Sequence, residues 1–333
     1  MKNILVFGGG GYTGSVLIPD LLDEGHRITV FDTFWYGQGH LPVDNPNLSL
    51  VTADVRDLDA VRAACAGQNT VIHLACISND SSFELDEKLS TTINLEAFEP
   101  VVVEAKKAGV SRFVFASSSS VYGVSEAPDV TEDHPLLPLT LYNKYKGMCE
   151  PLLLKHTDDN FVGVVFRPAT VCGYGPRQRL DVSVNILTNH ALNRGKITVF
   201  GGSQLRPNLH IRDYSAVARL LADAPAEKVA NEVFNVGTEN MSIMDIAVTA
   251  QRVVGEIYPD RGEIPIVVEP SDDIRSYHIN SDKIRDVLGF TPQFTVEDAV
   301  RGLVEAFAEG LLPDSFDDDR YYNVRTMKAI GAA

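Results

Sequence analysis

The sequence predicts an α/β chain built on a doubly wound parallel sheet. Three observations carry this. Short segments that are apolar nearly throughout recur across the first half, as buried parallel strands do. Each is followed by a helical pattern, the order that right-handed crossovers require. A run of four glycines joins the first strand to the first helix.

The elements follow in order. Asn3 to Phe7 reads as the first strand and Thr13 to Asp23 as the first helix. Arg27 to Phe31 and Leu48 to Thr52 are the next strands, with a helix over Asp57 to Ala66. Thr70 to Ala75 is a strand, and Leu89 to Ala108 one long helix. Arg112 to Ser117 is a strand, Tyr142 to His156 a helix and Phe161 to Arg167 a strand. Pro and Gly then punctuate the chain, as in Gly173-Tyr174-Gly175-Pro176. Glu232 to Val236 reads as a strand returning to the sheet, and Ser281 to Leu288 and Val296 to Glu309 as helices of a smaller lobe. The expected division is a Rossmann domain over 1–168, returning at about 213–241, and a segment 169–333 that is mainly a C-terminal α/β substrate-binding lobe.

The chain has 333 residues and a formal net charge of -16. That charge repels nucleic acid and anionic membranes, so neither is expected as a partner. Four cysteines (Cys65, Cys76, Cys149, Cys172) form no CxxC pair and fit free thiols in a reducing cytoplasm. No signal-peptide pattern opens the sequence, and no apolar run has the length of a membrane span. The eight histidines are scattered, and no metal site is expected; His73 and His210 sit in motifs where packing is the expected role.

Gly8-Gly9-Gly10-Gly11-Tyr12-Thr13-Gly14 follows the first strand and opens the first helix. It fits GxGxxG through Gly9, Gly11 and Gly14, and GxxGxxG through Gly8, Gly11 and Gly14. Glycine permits the tight turn, the close approach of backbone to a pyrophosphate, and close helix–strand packing. The helix N-terminus then offers N–H groups to the anion. Asp32 ends the second strand, where a carboxylate accepts the adenosine ribose hydroxyls and repels a 2′-phosphate. The expected cofactor is therefore NAD rather than NADP. Asp54 and Val55, after the third strand, are placed to meet the adenine edge, and Leu74 and Ala75, at the end of the fourth, are expected to bind the cofactor.

Ser117 to Ser120 end the fifth strand, at the carboxyl edge where ligands bind in such sheets. Tyr142 and Lys146 stand one helical turn apart on a common face. An ammonium beside a phenol is expected to pull its pKa down and make it a base.

With these features the chain resembles the extended short-chain dehydrogenase/reductases, the nucleotide-sugar epimerase and dehydratase family. The resemblance rests on Gly8–Gly14, on His73-Leu74-Ala75-Cys76, on Ser117–Gly123, on Tyr142 with Lys146, and on Arg206–Asp213. It implies Tyr142 as catalytic base and acid, Lys146 on the nicotinamide ribose, and Ser118 hydrogen-bonded to the reacting sugar oxygen. It also implies substrate contacts from Ser119, Asn94, Arg206 and Arg275, with the arginines on the diphosphate, and base contacts from Val199 and Phe200. Arg275 has ion-pair partners at hand in Asp272-Asp273. A homodimer through the helices 89–108 and 142–156 is implied too.

Dehydratases of this family carry Asp-Glu where this chain has Ser119 and Ser120, and decarboxylases carry Glu at the second place. A hydroxyl is too weak an acid to replace them. Oxidation at C4 of a nucleotide-activated sugar, with epimerisation, is therefore the expected function. A net 4-dehydrogenase or ketoreductase is the alternative, and a non-catalytic NAD sensor ranks last because Tyr142 and Lys146 are both present. Thr170, two residues inserted before Gly175-Pro176, and the aromatic loop Phe34 to His40 depart from the family pattern. They point away from the standard galactose epimerase, toward a rarer sugar such as a deoxysugar or heptose.

Overall fold

The computed structural model describes residues 1–272 and 275–332. Seven strands form one parallel sheet: β1 (Asn3–Phe7), β2 (Arg27–Asp32), β3 (Leu48–Thr52), β4 (Thr70–His73), β5 (Arg112–Ala116), β6 (Val162–Pro168) and β10 (Val233–Val236). Their order is β10-β6-β5-β4-β1-β2-β3. The chain leaves β1 toward β2 on one side and reaches β4 on the other, so the switch point lies at β1. Phe7 pairs with Phe31 and with His73, which pairs in turn with Phe115. That register aligns the strand ends, and Gly8, Asp32, Leu74 and Ser117 emerge along one edge. β1, β4, β5 and β6 are almost fully buried, as apolar runs with helices on both faces must be.

The second lobe holds a three-stranded sheet, β11-β9-β7, from Thr170–Cys172 (β7), Leu205–His210 (β9) and Glu239–Ser242 (β11). A two-stranded sheet pairs Ile197–Phe200 (β8) with Ile266–Glu269 (β12). The helices Ser183–Asn189, Ile243–Ile257 and Val296–Ala308 pack over them around their own core, which includes Val199, Ile246 and Val300.

Three features differ from the sequence reading. The helix expected over Leu89–Ala108 begins at Glu87 and widens to a π-helical stretch at Thr92–Glu96 before continuing as Phe98–Lys107. Pro100 has no N–H to give the Glu96 carbonyl, and the widened turn sits just before it. The helix Ile211–Asp223 packs on Gly14–Asp23, and β10 closes the large sheet, so the return runs from about 211 to 236. The segment 169–333 is also less uniform than a single lobe. Ile279 and Ile284 join the core beside β1 and β6, and Met327, on the last helix (Asn323–Ala329), joins the core on the sheet's other face.

The four cysteines are free. His73 is buried among Phe7, Phe98, Phe113 and Phe115, and burial pushes its pKa down to about 3, leaving it a neutral packing residue. Among the described residues Glu24, His26 and Asp223 cluster at metal-ligand spacing. Lys2 already pairs with Asp223 at 2.5 Å, and Arg219 pairs with Glu24.

Candidate active site

A cavity of about 560 Å³ opens along the strand ends. Gly8, Gly11, Tyr12, Thr13, Asp32, Val55, Leu74 and Ala75 line it at one end. Ser118, Ser120, Tyr142 and Lys146 line its middle, with Arg206 and Arg275 on the lobe side.

The glycine loop is built by backbone crowding. Gly8 has φ +79°, and a Cβ there would lie 2.4 Å from the Ala75 nitrogen. A Cβ on Gly14 would lie 2.2 Å from the Gly9 carbonyl oxygen. Gly14 thus packs helix against loop and does not line the cavity, whereas Gly11 has nothing nearer than the Gly8 oxygen at 3.4 Å and lies open to it. No side chain caps the helix Gly14–Asp23. Asp32 accepts the Gly10 N–H at 2.9 Å and the Phe34 N–H at 2.8 Å. Burial raises its pKa against the pull of these N–H groups. Tyr12 donates to the Gly173 carbonyl at 2.6 Å, tying the loop to the second lobe.

Two residues beside this end, the buried Arg177 and the partly buried Arg179, escaped the sequence reading. Arg177 is 5% exposed, stacks 3.7 Å from the Tyr36 ring centroid, and leaves its Nε without a hydrogen-bond partner. Burial lowers its pKa to about 10. Arg179 pairs with Asp181 at 2.5 Å and reaches Ser78 Oγ at 3.3 Å. Their signal was available: a charged Arg177-Gln-Arg179-Leu-Asp181 run follows a Gly-Pro turn beyond the end of β6. The fit to a dinucleotide is therefore good. A glycine cradle that side chains would fill faces a buried cation with an orphaned donor.

In the middle, Lys146 donates to the Ala116 carbonyl at 2.7 Å and lies 5.0 Å from the Phe115 ring centroid. Ser118 and Ser120 hydroxyls meet at 2.7 Å, and Ser120 donates to Asn143 Oδ1 at 2.5 Å. Tyr142 lines the cavity near Cys76 and Arg179. Burial raises its pKa well above the ordinary value, Cys76 adds to this, and Arg179 opposes it. The lowering expected from Lys146 gives way here to desolvation. Behind the site Glu150 holds Arg167 through two bonds of 3.0 and 2.6 Å and accepts the Ser117 hydroxyl at 2.6 Å.

Other expected residues point elsewhere. Ser119 is buried and off the cavity, because the short 3₁₀ turn Ser119–Tyr122 turns Ser118 and Ser120 toward it instead. Asn94 uses its amide on the Ile77 backbone, at 2.8 Å to the N–H and 2.9 Å to the C=O, so it fixes the loop after β4 rather than touching a ligand. Asp54 is bound by the Arg56 guanidinium, at 2.9 and 2.7 Å, and lies off the cavity. Val199 alternates inward to the lobe core and Phe200 outward to solvent, and neither lines the cavity. Arg206 donates to the Arg275 carbonyl, and Arg275 pairs with Asp80. Asp273, a prospective partner of Arg275, lies outside the described residues.

The fold is that of a dinucleotide-binding α/β protein, and its cavity brings Ser118, Tyr142 and Lys146 together. The model of the NAD dependent epimerase/dehydratase family matches residues 4–237, and the chain belongs to that family. It is 27% identical to a UDP-glucose 4-epimerase of Lactobacillus helveticus, over 89% of this chain and 94% of that one. It is 26% identical to a dTDP-glucose 4,6-dehydratase of Streptomyces griseus, over 91% and 93%. The structure of MoeE5 in complex with UDP-glucose and NAD superposes with a TM-score of 0.80 at 25% identity, covering 93% of this chain and 99% of that one. Among the described residues no helix is long and apolar enough to cross a membrane.

Proposed function

We propose that this enzyme is a nucleotide-sugar 4-epimerase. The observation that carries the reading is the set of groups around Ser118: Tyr142 and Lys146 share the cavity with it, and the neighbouring places hold Ser119, turned away, and Ser120, bonded to Asn143. A carboxylate beside Ser118, which dehydration needs, is missing from both places.

NAD held along Gly8–Gly14 and Asp32 supplies a reversible hydride acceptor for the carbon that bears the reacting hydroxyl. Tyr142 takes that hydroxyl's proton and later returns it. Ser118 hydrogen-bonds the same oxygen, and Lys146 orients the nicotinamide ribose. Arg177 faces the cofactor's diphosphate, and Arg206 and Arg275 grip the diphosphate of the substrate. The raised pKa of Tyr142 makes its phenolate, once formed, a strong enough base to take the hydroxyl proton and hold it for return to the ketone oxygen. The relatives are named for UDP- and dTDP-sugars, which supports a substrate of the same chemical class here. A homodimer through the helices Phe98–Lys107 and Leu141–Leu154 completes the proposal; the exposed Met148 supports it. Four free thiols support a cytoplasmic place.

The test is a panel of UDP-, dTDP-, CDP- and GDP-sugars, followed for epimer composition and carbonyl formation. An epimer without ketone build-up is expected. Ketone accumulation shifts the reading to net dehydrogenation, and silence across the panel overturns both. Tyr142→Phe is expected to lower kcat by about a thousandfold while NAD stays bound; full activity in that variant sinks the mechanism.

A further inference from the structure

The last helix starts at a residue that meets the cavity from far along the chain. Asn323 is 3% exposed and lines the cavity together with Arg177, Arg179, Asp181 and Ser78. It makes three hydrogen bonds to that group. Its Oδ1 accepts Arg177 Nη2 at 2.7 Å, its Nδ2 donates to Ser78 Oγ at 3.0 Å, and its backbone N–H donates to Asp181 Oδ2 at 3.0 Å. Asn323 therefore bridges the loop after β4 and the loop after β7. The two segments are also tied directly: the Leu180 N–H donates to the Tyr321 carbonyl at 2.9 Å, and Leu180 packs with Tyr321 and Tyr322.

The two arginines of this loop, Arg177 buried and Arg179 partly buried, are treated differently. Arg179 has a carboxylate, Asp181, on its Nε. Among the described residues no carboxylate hydrogen-bonds Arg177. Its fixed partners are the neutral Asn323 amide and the Tyr36 ring, and its Nε is left over. A buried guanidinium held by neutral groups keeps its charge for an incoming anion, and whatever fixes its orientation fixes the strength of that contact.

We propose that Asn323 is a positioning residue for the cofactor: by holding Arg177 toward the pyrophosphate it slows NAD release. This rests on the reading that NAD occupies the glycine-loop end. The segment that contains Asn323 is thereby a wall of the cofactor site, although the match to the family model ends at residue 237.

Trp35 is the chain's single tryptophan and lines the cavity, so its fluorescence reports the cofactor directly. The experiment measures NAD retained through purification, its release rate by Trp35 fluorescence during a chase, and Tm. It compares wild type, Asn323→Ala, Asn323→Asp and Thr326→Ala. Thr326 bonds only within the same segment, to the Asp319 carbonyl at 2.7 Å, and does not line the cavity. Asn323→Ala is expected to release NAD about tenfold faster, the loss of one hydrogen bond to a charged group. Asn323→Asp sets a carboxylate against Arg177 and takes up the charge meant for the anion, so it is expected to release NAD at least as fast as Asn323→Ala, whereas Thr326→Ala is expected to retain NAD like wild type. Wild-type release from Asn323→Ala overturns the proposal. Equal acceleration in Thr326→Ala overturns it too, since any loosening of the segment would then suffice, and so does wild-type release from Asn323→Asp. Wild-type protein that neither carries nor binds NAD overturns the cofactor reading beneath it.

Discussion

The two ends of the cavity are built by different means. At the end proposed for the cofactor the walls are backbone: Gly8 against Ala75, Gly14 against Gly9, and Asp32 on the Gly10 N–H. At the end proposed for the sugar nucleotide they are long side chains from β9 and from the segment after β12, with Arg206 bonded to the Arg275 carbonyl and Arg275 paired with Asp80. A backbone cradle is preorganised and tolerates little change. A side-chain clamp exchanges one set of partners for another when the ligand arrives, and that leaves room for different sugars on one scaffold.

The sharpest way to break the contrast is at Gly14. A methyl there meets the Gly9 carbonyl, and neither backbone can yield without moving the loop. Gly14→Ala is expected to cost about 3 kcal/mol in loop geometry, which is about a hundredfold in NAD affinity. Titration of Trp35 fluorescence checks this. An unchanged affinity would mean that the loop, like the sugar end, adapts.

Arg206→Met tests the other end. Losing a charged contact to a diphosphate is worth about 2 kcal/mol, so KM for the nucleotide sugar is expected to rise about thirtyfold. NAD affinity should stay at the wild-type value. A parallel loss of NAD would show that the two ends are not separable.

This contrast also explains what was legible in the sequence. A backbone cradle dictates its residues, so Gly8–Gly14 and Asp32 could be read, and β1, β4, β5 and β6 declared themselves as unbroken apolar runs. Tyr142 and Lys146 could be paired from helical spacing taken together with the hydroxyl-rich strand end and the glycine loop that precede them. Side-chain roles set by orientation could not be read so easily. Ser119 and Ser120 are adjacent, yet only the turn geometry decides which one faces the cavity. Val199 and Phe200 could have been separated, because alternation along β8 sends one inward and one outward. Asn94 was given to the substrate because nothing in its neighbours reveals Ile77 as its partner. Asn323 is 146 residues from Arg177, and no local pattern announces such a contact.

The smallest expected effect lies where the two ends meet, at Tyr142. Its pKa is raised by burial and lowered by the Arg179 guanidinium, which in turn faces Asp181. The oxidation step needs the deprotonated phenol, so kcat/KM is expected to climb with pH as Tyr142 loses its proton. Arg179→Gln removes a cation that favours the phenolate and moves that climb to higher pH. Asp181→Asn leaves the same cation uncompensated and moves it to lower pH. Opposite displacements in the two variants identify Arg179 as the charge that tunes Tyr142. Displacements of the same sign would show that both substitutions act by disturbing the loop that Asn323 holds, and that the two ends are coupled through packing rather than through charge.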